Sequence, residues 1–306
     1  MKSNSLAPIV LFVYNRLWHT RQTIEALQRN TLASESELFI YSDGAKNEDE
    51  CAKVLQVRDY VKKVGGFKKV TVIERDKNWG LANSIIDGVT QAVNKFGRVI
   101  VLEDDLVTSS FFLRYMNDAL KLYKDFNEVI SVHGYQYPLK ELQSLPETYF
   151  IKGADCWGWA TWDRGWNLFE LDGQKLLDEL QTKGLQNEAD FNGSHKFVQM
   201  LKNQINGRND SWAIRWYFSA FLKNKYTLYP KLSLVQNIGN DSSGTHCGST
   251  ANYFIEELSH KLPLFYNSNK IVENFKARGL MEKYFRTMKK NIIRKVSSKI
   301  KQGLSR

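Results

Sequence analysis

The chain has 306 residues, of which 42% are hydrophobic and 25% charged, a composition that excludes a disordered protein and a small disulfide-stapled scaffold. Its formal net charge of +10 is lopsided, because nine lysines and arginines and no acid lie between Lys283 and Arg306, and the remainder is close to neutral. A near-neutral body argues against a nucleic-acid-binding face, which needs a distributed basic patch.

The first elements alternate between two periodicities. Ile9–Tyr14 (IVLFVY) reads as a buried strand, too short for a signal core or a membrane span, and a helical stretch follows from about Trp18 to Arg29. Leu38–Tyr41 is a second strand, ended by the loop signal Ser42-Asp43-Gly44. A polar helix from Asn47 to Lys63 leads through Gly65-Gly66 to a third strand, Lys69–Glu74. Asn78-Trp79-Gly80 opens a helix running through Phe96, and after Gly97 comes a fourth strand, Arg98–Leu102. Strands and helices in this alternation predict crossover units and a mostly parallel sheet, whose ligands collect at the carboxyl ends of the strands.

Beyond the fourth strand come Glu103-Asp104-Asp105, a helix over Ser109–Tyr123 and a fifth strand over Glu128–His133. The glycine- and tryptophan-rich block Gly153–Trp166 then gives way to polar helices up to about Asn206. An amphipathic helix ends at Lys223, Thr227–Pro230 and Leu232–Gln236 are extended, and Asn237–Ser249 is a polar loop. The expected organisation is one catalytic domain over 1–268, with a nucleotide-binding part to about 135 and an acceptor-binding part from 136, and a tail over 269–306. Cys51, Cys156 and Cys247 lie far apart with no CxxC spacing, the pattern of reduced thiols in an intracellular protein. With no leader or span in view, the expected location is the cytoplasm.

The sharpest local signal is Val99–Leu106, VIVLEDDL. Three consecutive carboxylates at the end of a buried strand are costly, since like charges repel and burial disfavours ionisation. A divalent cation removes that cost: Mg²⁺ or Mn²⁺ takes one or two carboxylates together with substrate phosphates. The competing reading is a plain acidic loop that caps the following helix.

Several motifs occur here in a recognisable order. Tyr14-Asn15-Arg16 follows the first strand and Tyr41-Ser42-Asp43 ends the second; Glu103–Leu106 precedes Phe111-Phe112. Gly158-Trp159-Ala160, then Asp210-Ser211-Trp212 with Arg215, then Ser243-Gly244-Thr245-His246 complete the series. Over roughly residues 7–250 the chain resembles GT-A-fold glycosyltransferases of family 2, with a motif order similar to that of the N-acetylglucosaminyltransferase I enzymes. The resemblance implies an α/β GT-A (Rossmann-like) fold with a mostly parallel sheet flanked by helices, and an inverting, metal-dependent transfer from a nucleotide-sugar, UDP-sugar favoured. It implies Arg16 at the donor diphosphate, Asp43 at the base, and Glu103 and Asp104 on ribose, sugar or metal-bound water. Asp105 and His246 would bind Mn²⁺ or Mg²⁺, and Asn78, Asn83 and Trp159 would touch the donor. Asp210 would be the general base. Many family members carry two acids before the tryptophan, and here Ser211 holds the second place, which keeps Asp241 open as an alternative. His133, between apolar residues, reads as a core histidine.

In the tail, Phe285, Met288, Ile292, Val296 and Ile300 recur at helical spacing among lysines and arginines. That is a basic amphipathic helix suited to an anionic membrane surface. The expected setting is the inner face of a bacterial plasma membrane, with a glycan or lipid-diphosphate-linked acceptor in surface polysaccharide synthesis. Competing readings are a nucleotidyltransferase that makes nucleotide sugars, disfavoured because Tyr14–Leu17 lacks the early glycine-rich loop, and a non-catalytic protein that binds membranes or anionic polymers.

Overall fold

The computed structural model describes residues 5–241, 253, 255, 257–265 and 271–288. Strand β1 (Ile9–Val13) is buried along its whole length, as a strand covered on both faces must be. Its residues alternate between the two sides of the sheet: Ile9, Leu11 and Val13 enter one hydrophobic cluster, Val10 and Phe12 another. Helix α1 (Leu17–Gln28), β2 (Glu37–Ser42), α2 (Glu48–Val61), β3 (Lys69–Glu74), α3 (Leu81–Phe96) and β4 (Arg98–Glu103) follow. Asn47 caps α2 by accepting from the Glu50 N–H, and Glu48, Asp49 and Glu50 in the first turn complement the helix dipole. Gly97 ends α3 in the left-handed conformation.

Then come β5 (Leu106–Thr108), α4 (Phe112–Leu122), β6 (Val129–His133), β7 (Thr148–Lys152), β8 (Trp159–Trp162) and the single turn α5 (Asp163–Trp166). The remaining elements are α6 (Gly173–Thr182), α7 (Gln186–Ala189), α8 (Phe197–Ile205), α9 (Trp212–Leu222), β9 (Tyr226–Pro230) and β10 (Val235–Asn237). The main sheet has the order β3-β2-β1-β4-β8-β6-β9-β7. β7 and β8 run antiparallel to their neighbours and the other pairings are parallel, so the fold is α/β with a mixed, largely parallel sheet.

Helices α1, α2 and α4 cover one face, with Ile24, Leu27, Val57, Val61 and Met116 in its cluster. Helices α3 and α9 cover the other, where Ile85 and Val89 meet Trp212 and Trp216. A third cluster joins α6, α8 and α9 to a helix formed by residues 275–288. Within that helix Ala277, Leu280, Met281 and Phe285 are buried and Met288 packs beside them. Phe285 and Met288, expected to open the apolar stripe of a separate tail, are instead part of the body. Ile292, Val296 and Ile300 lie outside the described residues. Among the described residues no helix is long and apolar enough to cross a membrane.

Candidate active site

In the main sheet the chain steps from β1 to β2 and β3 on one side, then crosses to β4 on the other side of β1. The strand order therefore reverses between β1 and β4, where open α/β sheets form a crevice beyond the strand ends. Arg16 leaves the end of β1 just ahead of α1, and Glu103-Asp104-Asp105 leave the end of β4. The Arg16 guanidinium bridges the crevice. Its Nη2 donates to Asp104 and, at 2.8 Å, to Asp105 Oδ2, and its Nε reaches Asp104 Oδ2 at 3.3 Å. Nη1 is buried and finds no acceptor among the described residues. A buried cationic donor with nothing to donate to is costly, and an anion such as a phosphate oxygen would satisfy it.

The acidic turn is fixed from two directions. Thr23 of α1 donates to the Asp104 carbonyl at 2.8 Å, and Ile238 N–H donates to the Asp105 carbonyl at 2.9 Å. The second bond continues the small β5–β10 sheet, in which Leu106 pairs with Asn237. Residues 238–241 are thereby laid against the acids. A Cβ on Gly239 would lie 2.1 Å from Asp105 Oδ2 and 3.1 Å from Arg16 Nη1, so any side chain there would displace the Asp105 carboxylate. Next to it, Asp241 Oδ2 meets His19 Nε2 of α1 at 3.1 Å.

Burial, followed by the charges of Asp105 and Asp104, pushes the Glu103 carboxyl up to about 8. Burial also raises Asp104, to about 6, against the lowering pull of Arg16. The cluster thus holds more negative charge than Arg16 offsets, and its donors are all oxygens. Among the described residues no three of His, Cys, Asp and Glu enclose an ion by themselves. The set fits Mg²⁺ or Mn²⁺ held by one or two carboxylates together with a ligand's phosphates.

Asp43, at the end of β2, is buried and clasps a neighbouring loop. Its Oδ1 accepts from Gly44 N–H at 2.9 Å and Trp79 N–H at 2.8 Å, and its Oδ2 accepts from Gly80 N–H at 2.9 Å. Gly44 permits the approach, since a Cβ there would stand 2.4 Å from the Lys77 carbonyl carbon. Asn78 donates to the Gly44 carbonyl at 2.8 Å, so it ties two loops together and caps nothing. Asn83 donates to the Trp79 carbonyl at 2.9 Å.

Asp210 stands in solvent 3.7 Å from Arg215, and a Cβ on Gly80 would lie 3.9 Å from its Oδ2. The residue that caps α9 is Ser211, whose Oγ accepts from Ile214 N–H at 3.2 Å. Asp210 is thus placed beside the loop that Asp43 clasps, without a capping role.

Trp159 does not line the site. It is 1% exposed, packed among Trp166, Trp212 and Trp216, because its strand lies between β4 and β6 and turns the indole into the core. Trp162 and Trp166 are likewise buried, and only Trp157 of that group is partly exposed. His133 is a core histidine: burial lowers its proton affinity and its Nε2 accepts from Trp157 N–H at 3.1 Å. Burial, with the nearby Asp155 carboxylate, pushes the Cys156 thiol well above its usual range, which disfavours the thiolate. His246 and Cys247 lie outside the described residues. Thr23, His19 and Gly239 went unnoticed in the sequence, because the pairing of Leu106 with Asn237 that brings Gly239 to the acids leaves no local pattern.

The family model described as Glycosyl transferase family 2 matches residues 9–164, just over half of the chain, including Arg16 and Glu103–Asp105 of the β1–β4 crevice. The chain belongs to glycosyl transferase family 2. This family 2 glycosyltransferase is also similar to solved structures, at low levels. A mannosyltransferase, PcManGT from Pyrobaculum calidifontis, in complex with GDP-Man and Mn²⁺, is 12% identical with a TM-score of 0.36, covering 58% of this chain and 48% of its own. TarS of S. aureus is 15% identical with a TM-score of 0.30, over 40% of this chain and 20% of its own. The family 2 chain thus spans less than half the length of either structure. No curated protein matches it.

Proposed function

We propose that this enzyme transfers a sugar from a nucleotide-sugar to an acceptor hydroxyl by a single inverting displacement of the GT-A type. The observation that carries the reading is Arg16, with one unsatisfied buried donor, facing three carboxylates across the β1–β4 crevice. Arg16 would hold the donor diphosphate through Nη1, and Asp105 would bind the cation with Asp104 and Glu103 around it. Mn²⁺ or Mg²⁺, when bound, would neutralise charge on the departing diphosphate. Asp43 would face the base, with UDP favoured, while it keeps Asn78 and Asn83 in place near the donor. Asp210 would take the proton of the acceptor hydroxyl as its oxygen bonds to the anomeric carbon and the bond to the diphosphate breaks. Asp241 is the second candidate for that proton, and His246 for a further ligand to the cation.

Calorimetric titration with UDP, GDP and dTDP, with and without Mn²⁺, tests the donor reading. Metal-dependent binding of one nucleotide is expected, and its loss in Asp105→Ala. Binding that ignores both metal and Asp105 would sink it.

The acceptor in this reading is a glycan or lipid-diphosphate-linked sugar in bacterial surface polysaccharide synthesis, reached by peripheral docking on the inner membrane. Seven lysines and arginines lie beyond Met288 with no acid, each contributing on the order of 1 kcal/mol at an anionic surface. Sedimentation with anionic liposomes should lose most bound protein when the chain ends at Met288, which spares the packed helix. Equal sedimentation of both lengths would refute the docking.

A further inference from the structure

Helix α1 buries polar residues in its first half. His19, Thr20 and Thr23 are all covered, and the apolar packing of Ile24, Ala26 and Leu27 comes only after them. Arg16, His19 and Thr23 recur at steps of three and four, so they share one stripe of the helix. That stripe looks onto the acidic turn: Arg16 reaches Asp104 and Asp105, and Thr23 donates to the Asp104 carbonyl. His19, between them, reaches the chain that returns past the acids, with Nε2 3.1 Å from Asp241 Oδ2. A carboxylate only accepts, so Nε2 carries the proton. Trp18 packs edge-on against the imidazole, the ring centroids 4.9 Å apart.

The returning chain is thereby tied at two points. Ile238 N–H donates to the Asp105 carbonyl at 2.9 Å, and three residues on His19 holds Asp241. Between the ties lies Gly239, where a Cβ would collide with Asp105 Oδ2 and stand 3.1 Å from Arg16 Nη1. Strand β10 has already ended at Asn237, so sheet pairing does not hold residues 239–241 in place. Without the second tie this short segment would gain conformational freedom and leave the acids on one side unbraced. The His19 side chain is 8% exposed and that of Asp241 46%, so the histidine is the fixed member and the segment is what it holds.

We infer that His19 is a positioning residue for donor binding, a role that rests on the donor reading of the crevice. Through Asp241 it pins residues 239–241 against Asp105 and Arg16. The cation-binding carboxylate and the unsatisfied Nη1 donor then stay aimed at a bound diphosphate.

Calorimetry of the full chain with Mn²⁺ and whichever of UDP, GDP and dTDP binds the parent tests it. The variants are His19→Leu, His19→Gln, Asp241→Ala and the His19→Leu/Asp241→Ala double variant. His19→Leu and Asp241→Ala should each weaken binding about fivefold or more. The double variant should be no more than about twofold weaker than the worse single one, because all three lose the same contact. His19→Gln, which keeps an N–H near the Nε2 position, should recover most of the affinity. Asp241→Ala, at a half-exposed position, keeps the test open if His19→Leu does not fold. Parent-like nucleotide binding in Asp241→Ala overturns the inference and is what a base at Asp241 would give, since a base acts on the acceptor. Losses that multiply in the double variant, or a His19→Gln protein as weak as His19→Leu, overturn it too. A parent that binds none of the three nucleotides with Mn²⁺ refutes the donor reading itself, and the role of His19 falls with it.

Discussion

Gly239 and Gly65 respond in opposite ways to the same substitution. An added methyl on Gly239 would drive into Asp105 Oδ2, whereas nothing lies within 4 Å of one on Gly65. Gly239→Ala should cost roughly 1–3 kcal/mol of stability and displace Asp105, so that metal-dependent nucleotide binding falls with it. Gly65→Ala should be neutral or slightly stabilising, because it only restricts the unfolded chain. Melting curves and nucleotide titrations on both variants decide; a Gly239→Ala protein that binds nucleotide normally would show that residues 238–241 do not brace the acids. At this scale Glu103–Asp105 stood out in the sequence because charges at the end of an apolar strand are conspicuous, while Arg16 was singled out only through the family resemblance; the structure brings Arg16 against Asp104 and Asp105. Gly239 and the His19–Asp241 pair were illegible, since they meet through a strand pairing between Leu106 and Asn237 that no local pattern announces.

At the scale of an element, the start of α9 places a helix cap and a candidate base side by side. Ser211 makes the cap bond and Asp210 does not, so the two roles separate by mutation. Ser211→Ala should cost about 1 kcal/mol of stability and leave turnover largely intact. Asp210→Asn should lower kcat by about 10²–10⁴ with little change in melting temperature. If Asp210→Asn retains its turnover, the base is elsewhere, with Asp241 the first residue to test. The parallel half of the sheet was legible because β1 and β4 are unbroken apolar runs and each crossover helix has its own period. β7 and β8 were not. They are four or five residues long, and Trp159 of β8, expected at the donor, is made core by tertiary packing. The helix over 275–288 was misjudged for a related reason: its apolar stripe fits a membrane and a protein core equally well, and Phe191 and Leu201 decide the matter from far away in the sequence.

Across the whole molecule, the acidic crevice should set how stability depends on pH and metal. Glu103 and Asp104 hold their protons more tightly in the folded protein than an unfolded carboxyl does, by burial first and mutual repulsion next. The folded state then binds more protons than the unfolded one, so this cluster's contribution to stability falls as pH rises. The loss begins near the unfolded values, about 4, and is complete once the pH passes about 8 for Glu103. A divalent cation that binds only the folded, deprotonated cluster offsets the loss, and competes with protons below that range. Mn²⁺ should therefore raise the melting temperature more at the alkaline end of this window than at the acidic end. Glu103→Gln removes one of the buried charges, so it should stabilise the metal-free protein most at the alkaline end and reduce the gain from Mn²⁺. Scanning calorimetry of both proteins across the window measures this directly. An Mn²⁺ gain independent of pH, together with a variant whose metal-free melting parallels that of the parent, would mean that these carboxylates are neither strained by their burial nor relieved by a cation.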